Sequence, residues 1–150
     1  MSIKYVHTTI IARDWMKLSD FYIQVFGCKP ASPAKNHSGQ WIEKMTGIEG
    51  VNIKGIHLIL PGFTDGPILE IFQYNAENPR NSAVTANQQG FNHIAFQVDA
   101  VEEVLEKTIE FGGRRLGELV TKEMAGVGLL TTIYAQDPED NIIEILNWQK

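Results

Sequence analysis

Two stretches, ILEIFQY at 68–74 and IIEILNW at 142–148, each set a glutamate third in a run of apolar, strand-forming side chains. Successive strand residues point to opposite faces, so Glu70 shares a face with Ile68 and Phe72, and Glu144 with Ile142 and Leu146. An ionised carboxylate among such neighbours is costly unless something compensates its charge. Two further stretches, IKYVHTTII at 3–11 and FNHIAFQV at 91–98, read as strands with His7 and His93 near their centres. If the halves face each other, two imidazole nitrogens and two carboxylate oxygens suit a divalent cation of borderline or hard character: Ni, Co, Zn, Mn or Fe. Four ligands without a thiolate do not resemble a closed structural zinc site. An octahedral ion would keep two positions for water or for two oxygens of a substrate. Taken one at a time, each residue has a plainer reading, a hydrogen-bonded strand histidine or a glutamate facing solvent. Their recurrence at corresponding places singles them out.

The elements that must position them recur as well. After His7 comes a helical stretch, Asp14 to Phe26, with Asp14 as N-cap and Trp15, Leu18, Phe21, Tyr22 and Val25 on one face. Gly27 ends it in the place where a left-handed residue is usual. After His93, Asp99 is expected to cap a helix in which Val101, Val104, Leu105, Thr108 and Ile109 recur at helical spacing, ended by Gly112 and Gly113. Gly27 lies 20 positions after His7, and Gly112 lies 19 after His93. Strands follow each helix. In the first half they are a weak one near 28–31, then 51–61 and 67–74; in the second half, 114–120, 128–137 and 141–148. The turn DPEDN at 137–141 offers Asp140 or Asn141 for a positive φ.

This predicts an α+β chain of two tandem βαβββ modules, one over about residues 3–75 and the other over 90–148, joined by a polar linker at 76–89. Glu70 lies 63 positions after His7 but Glu144 only 51 after His93, and the surplus falls in an inserted loop around 32–50.

With 150 residues, a net charge of −5 and no run of lysine and arginine, the chain suits a small-molecule partner rather than a nucleic acid. No apolar run is long enough to span a bilayer, and the N-terminal stretch lacks a secretory signal. Cys28 is the single cysteine, so no internal disulfide forms; a packed thiol and a cytoplasmic location are expected.

YVHTTIIARDWMKLSDFYIQVFG, GFNHIAFQVD and AQDPEDNIIEI together resemble the vicinal oxygen chelate superfamily, which includes glyoxalase I, methylmalonyl-CoA epimerase, extradiol dioxygenases and antibiotic-resistance proteins. The last motif is close to that family's Asp-Pro-acidic-Gly turn, with Asp140 where glycine is usual. The resemblance implies an open, curved β-sheet cup around a metal, often completed in a homodimer, with His7, Glu70, His93 and Glu144 as ligands. That set looks most like bacterial glyoxalase I and its relatives. The arginine that holds glutathione there is replaced by Ile11, with Arg13 two residues on; a second arginine position is Gln89; an asparagine position is Tyr74, with Asn75 one step on. A glutathione conjugate is therefore not the expected substrate.

The reaction expected is proton transfer next to a carbonyl, giving a lyase, isomerase or epimerase in which Glu144, or Glu70 opposite it, moves the proton. The inserted segment 36–50 is a candidate lid, with Trp41 and Met45 on one face and Glu43 as an acid or base it could supply. His57, Phe72 and Tyr134 are candidate pocket residues. Two alternatives are a metal-free binding protein of the bleomycin-resistance type and an iron-dependent dioxygenase using His7, His93 and Glu144.

Overall fold

A computed structural model describes residues 1–150. The chain is α+β and divides into two compact units, Met1–Arg80 and Asn81–Lys150, with one sheet in each.

In the first unit, β1 (His7–Ile11) leads to α1 (Trp15–Phe26), then β2 (Lys29–Pro30), β3 (Lys35–Ser38), α2 (Gln40–Thr46), β4 (Asn52–Ile59) and β5 (Ile68–Tyr74). The sheet order is β1-β5-β4-β2, with β3 also on β4. Both short strands run antiparallel along β4, β2 opposite Ile59 and Leu58 and β3 opposite Gly55 to Asn52. They are thus one outer strand, broken at 31–34, where Pro33 cannot donate to the ladder.

The second unit repeats this plan. β6 (His93–Gln97), α3 (Val101–Glu110), β7 (Arg114–Arg115), β8 (Val120–Met124), β9 (Gly128–Gln136) and β10 (Ile142–Gln149) form the order β6-β10-β9-β7, with β8 also on β9. The single strand expected over 114–120 is instead two pieces, β7 and β8, along one edge of β9. All five residues of β8 are exposed, so no apolar alternation marks it in the sequence.

The caps follow local chemistry. Asp14 accepts from the Lys17 amide at 3.1 Å, and Gly27 closes α1 at φ 71°. Asp99 does not cap α3; Ala100 takes that position without a side-chain bond, one residue later than expected. Asp140 does take the positive φ of its turn, at 71°. Asp137, buried inside the same turn, accepts from the amides of Glu139 and Asn141 at 2.8 and 3.0 Å.

Each sheet buries one face under a helix. Leu18, Phe21, Tyr22 and Val25 of α1 lie in the same core as Leu58, Leu69 and Ile71, all of them buried. In the second unit Val101, Leu105 and Thr108 of α3 serve Ile133, Ala135, Ile143 and Ile145 in the same way. Each large aliphatic or aromatic side chain withdrawn from water contributes about 1.5–3 kcal/mol, so the helix-covered faces hold the units together. Cys28 belongs to the first core, 1% exposed, and burial pushes its thiol up to about 12, so it is a packed thiol as expected and no nucleophile. No helix is long and apolar enough to cross a membrane.

The surplus in the first unit is α2 with its flanking loops. Ile42 of α2 packs with Val51, Ile53, Phe72 and Tyr74, which closes one end of the sheet face opposite α1. That face carries Glu70.

Candidate metal centre

The two central strands hold their neighbours in the same register. β5 pairs parallel with β1 and antiparallel with β4, placing Glu70 between Thr9 and His57, with His7 opposite Ile68. β10 pairs parallel with β6 and antiparallel with β9, placing Glu144 between Ala95 and Tyr134, with His93 opposite Ile142. Residue for residue, His7 corresponds to His93, Glu70 to Glu144, His57 to Tyr134, Thr9 to Ala95 and Gly55 to Thr132. Both histidines stand at the first residue of their strands rather than near the centres, because the preceding residues, 3–6 and 91–92, lie outside the ladders.

In the first unit His7 Nε2 lies 3.5 Å from Glu70 Oε2. His57 Nε2 lies 3.1 Å from Oε1, and Thr9 Oγ1 donates to Oε2 at 2.7 Å. Glu70 is buried, at 8% exposure, so these contacts are what hold its charge away from water. In the second unit His93 Nε2 lies 3.2 Å from Glu144 Oε2, while Thr132 Oγ1 donates to Oε1 at 2.9 Å. Each carboxylate thus receives one threonine hydroxyl, but from opposite sides: from the parallel strand at Glu70 and from the antiparallel strand at Glu144. Thr9 and Thr132 were not among the candidates read from the sequence. Thr9 shares its face with His7 by simple alternation, whereas Thr132 needs the β9–β10 register, which sequence does not display.

These residues suit a divalent cation in chemistry and spacing. Two atoms bound to one ion at about 2.1 Å stand roughly 3.0–3.4 Å apart, for right-angle and tetrahedral arrangements respectively. The His93–Glu144 separation of 3.2 Å falls within that edge and the His7–Glu70 separation of 3.5 Å just beyond it; His57–Glu70, at 3.1 Å, falls within it as well. The first unit thus brings two histidines to Glu70 and the second brings one to Glu144, and in neither do three histidine, cysteine or acidic side chains form a metal-holding group.

His57 is half-buried, and loss of hydration lowers its pKa from 6.5, only partly offset by Glu70. Neutral His57 then donates its Nε2 proton to Glu70. The unfolded chain takes up a proton as pH falls below 6.5, but the folded chain resists, so this group's stabilisation is present above pH 6.5 and is lost as pH falls toward the lowered value. His57→Gln keeps a donor without a titrating group. Between pH 7.5 and 5.5, in the presence of chelator, its melting temperature should fall less than the wild type's; parallel curves would remove the assignment.

The remaining candidates divide. Phe72 is half-buried with its ring 5.7 Å from His57, and the Tyr134 ring lies tilted 4.8 Å from His93; both border the pairs. Trp41 is exposed on α2 and meets His37 edge-on at 5.3 Å; His37 in turn meets Phe72 at 6.4 Å, so α2 forms a wall beside the Glu70 face. His37 is half-buried in β3. Glu43 accepts from the Gly50 amide at 2.8 Å, tying down the loop after α2. Asn75 is committed likewise, accepting from the Asn52 amide and donating to Gly50 O at 2.9 and 3.0 Å. A hollow of about 280 Å³, lined by Trp15, Met16, Lys54 and Gln73 among others, lies by the start of α1; Lys54 and Gln73 point to the sheet face opposite Glu70.

A family model described as Glyoxalase/Bleomycin resistance protein/Dioxygenase superfamily matches residues 4–145. Among solved structures, a glyoxalase family protein from Bacillus cereus is similar at TM-score 0.77 and 15% identity, over 99% of this chain and 94% of that one. The trypanothione-dependent glyoxalase I of Leishmania major is similar at TM-score 0.61 and 17% identity, over 97% and 87%. The fosfomycin resistance protein of Listeria monocytogenes, solved with Mn(II) and sulfate, is similar at TM-score 0.53 and 16% identity, over 99% and 93%. No curated protein matches by sequence. At these identities the structures bear on the fold, while the family model spans nearly the whole sequence: the chain belongs to the glyoxalase/bleomycin resistance protein/dioxygenase superfamily.

Proposed function

We propose that the protein is a metal-dependent lyase or isomerase in which His7, Glu70, His93 and Glu144 ligate a divalent cation and a carboxylate moves a proton adjacent to a carbonyl. The observation that carries this is the duplicated register: in both units an imidazole Nε2 and a carboxylate oxygen stand about one ligand edge apart, on strands that could have carried apolar residues there. A cation held by these groups supplies Lewis-acid stabilisation of negative charge developing on substrate oxygens.

The chain's own residues divide the remaining work. Glu70 has donors on both oxygens, Thr9 on Oε2 and His57 on Oε1, and so is held in place with both oxygens engaged. Glu144 has a donor only on Oε1; its Oε2 faces His93 Nε2 and keeps lone pairs with which to receive a proton. Glu144 is therefore the base. Phe72 and Tyr134 supply flat apolar surface beside the reacting carbon, and Thr132 holds the base in place. Ile11, exposed on the Glu70 face, offers nothing to a glutathione carboxylate, and Asn75 is already committed, so the substrate is a small oxygen-chelating carbonyl compound without glutathione.

β1 and β6 are outer strands with exposed apolar residues in or just before them, including Val6, Ile11 and Phe91. Such edges favour pairing, and a homodimer is proposed on that ground. A reducing, cytoplasmic setting fits the buried thiol of Cys28.

The test is purification without added metal, elemental analysis, and a screen of 2-oxo aldehydes, acyl-CoA thioesters and catechols. About one equivalent of Ni, Co, Zn, Mn or Fe per chain, with isomerase or lyase turnover abolished by chelator and restored by metal, is the expected result. A chain that binds no divalent cation after dialysis against each would be a metal-free binding protein. Iron with oxygen consumption on a catechol would make it a dioxygenase.

A further inference from the structure

The imidazole of His93 is oriented by a second contact that His7 lacks. Asn92 Oδ1 lies 2.6 Å from His93 Nδ1, while Asn92 Nδ2 donates to the backbone oxygen of Ala86 at 2.8 Å. The second bond fixes the amide. Turned over, it would set its oxygen against the Ala86 carbonyl, two acceptors face to face, so Oδ1 must be the atom that meets the ring. An amide oxygen at 2.6 Å demands a proton on Nδ1. The Nε2 lone pair is then directed toward Glu144 Oε2, 3.2 Å away. Two acceptors at that separation need a proton or a cation between them.

Ala86 is itself held. The turn around it is closed by the Gln88 amide on Thr85 O at 3.2 Å and by Thr85 Oγ1 on Asn87 Oδ1 at 2.9 Å. The segment read from sequence as a plain linker therefore carries the acceptor that sets the amide, which sets the imidazole. In the first unit the residue before the histidine is Val6, whose side chain has no polar atom.

We propose that Asn92 is a positioning residue for His93, holding it as the Nδ1–H tautomer so that Nε2 is presented as a metal ligand. This rests on the metal reading above but concerns residues that reading does not use. An outer hydrogen bond of this kind fixes tautomer and ring orientation and raises ligand basicity; its loss typically costs 10–100-fold in metal affinity.

The experiment compares wild type, Asn92→Leu and Asn92→Asp, each checked for an unchanged melting temperature. Imidazole ¹⁵N shifts of the metal-free proteins report the tautomer at one fixed pH, and Mn(II) binding is followed by electron paramagnetic resonance of the free ion. Wild type and Asn92→Asp, which keeps the acceptor on Nδ1 while losing the bond to Ala86, should both show the Nδ1–H tautomer of His93 and both bind Mn(II) more tightly than Asn92→Leu. Asn92→Leu should show mixed tautomers and bind about 10–100-fold more weakly. If Asn92→Leu keeps the tautomer, or binds Mn(II) as wild type does, the proposal is overturned. A tautomer that changes in a chain whose wild type binds no cation would support Asn92's control of the ring while overturning the metal reading, so the two failures are distinguishable.

Discussion

Glu144→Gln should lower turnover by about 10²–10⁴-fold at saturating metal, the range expected when a positioned proton acceptor is removed, and leave the fold intact. The reason for expecting a clean result lies in the hydrogen bonds. Glu144 Oε1 accepts from Thr132, and an amide oxygen accepts equally well there. The other end becomes an NH₂ that donates to the His93 Nε2 lone pair, where two acceptors had faced each other. Unfolding midpoints should therefore stay close to wild type. Cation affinity should weaken, because the lone pair is now occupied and a charge is gone, so the assay must be run at saturating metal.

The equivalent change at Glu70 is not equivalent. Both oxygens accept, from Thr9 and from His57, so a glutamine must turn an NH₂ toward one of them, and that partner must give up its donor role in a nearly buried site or leave the NH₂ unpaired. An unsatisfied buried polar group costs about 1–3 kcal/mol. Glu70→Gln is expected to lower stability, whatever it does to catalysis. If instead Glu144→Gln turns over normally while Glu70→Gln folds well and is dead, the base has been assigned to the wrong carboxylate.

The contrast shows which layer of the site can be read from a sequence. The glutamates announce themselves because a carboxylate in ILEIFQY or IIEILNW violates the apolar pattern, and the duplicated order identifies their histidines. α1 is equally plain, since its cap, its apolar face and its closing glycine agree. Asp99 failed as a cap because the chain enters α3 one residue later, through Ala100. β3 and β8 were invisible or misplaced because KNHS and VTKEM are polar edge segments, recognisable only by the partner strand they join. The threonines, Asn92 and the contact of His57 with Glu70 depend on cross-strand register and on a turn, and neither is written in residue periodicity. Position along the chain gives the candidate ligands; the pairing of strands gives what touches them.

Gly55→Ala is expected to destabilise the first unit by about 3 kcal/mol or more, a large fraction of a total stability of about 5–15 kcal/mol. A Cβ built on Gly55 would stand 2.0 Å from Ile71 O and 2.5 Å from Phe72 Cδ1. The Phe72 ring could rotate, but Ile71 O is backbone in the neighbouring strand and cannot move without parting β4 from β5. Those two strands face each other at His57 and Glu70, one same-face step from the Gly55–Phe72 pair. The strain therefore falls on the register that brings His57 to the carboxylate. The corresponding position of the second unit is Thr132, whose hydroxyl serves Glu144, so Gly55 also explains why Glu70 draws its threonine from the other side. Gly55→Thr would copy the second unit's residue into the first and should fare worse than alanine. Gly117 provides the control, since a Cβ there meets nothing within 4 Å, and Gly117→Ala should be neutral or slightly stabilising. Denaturant midpoints for the three variants decide the matter: a Gly55→Ala protein that unfolds with wild-type midpoint and slope would mean that β4 and β5 do not approach as closely as this, and the placement of His57 against Glu70 would fall with it.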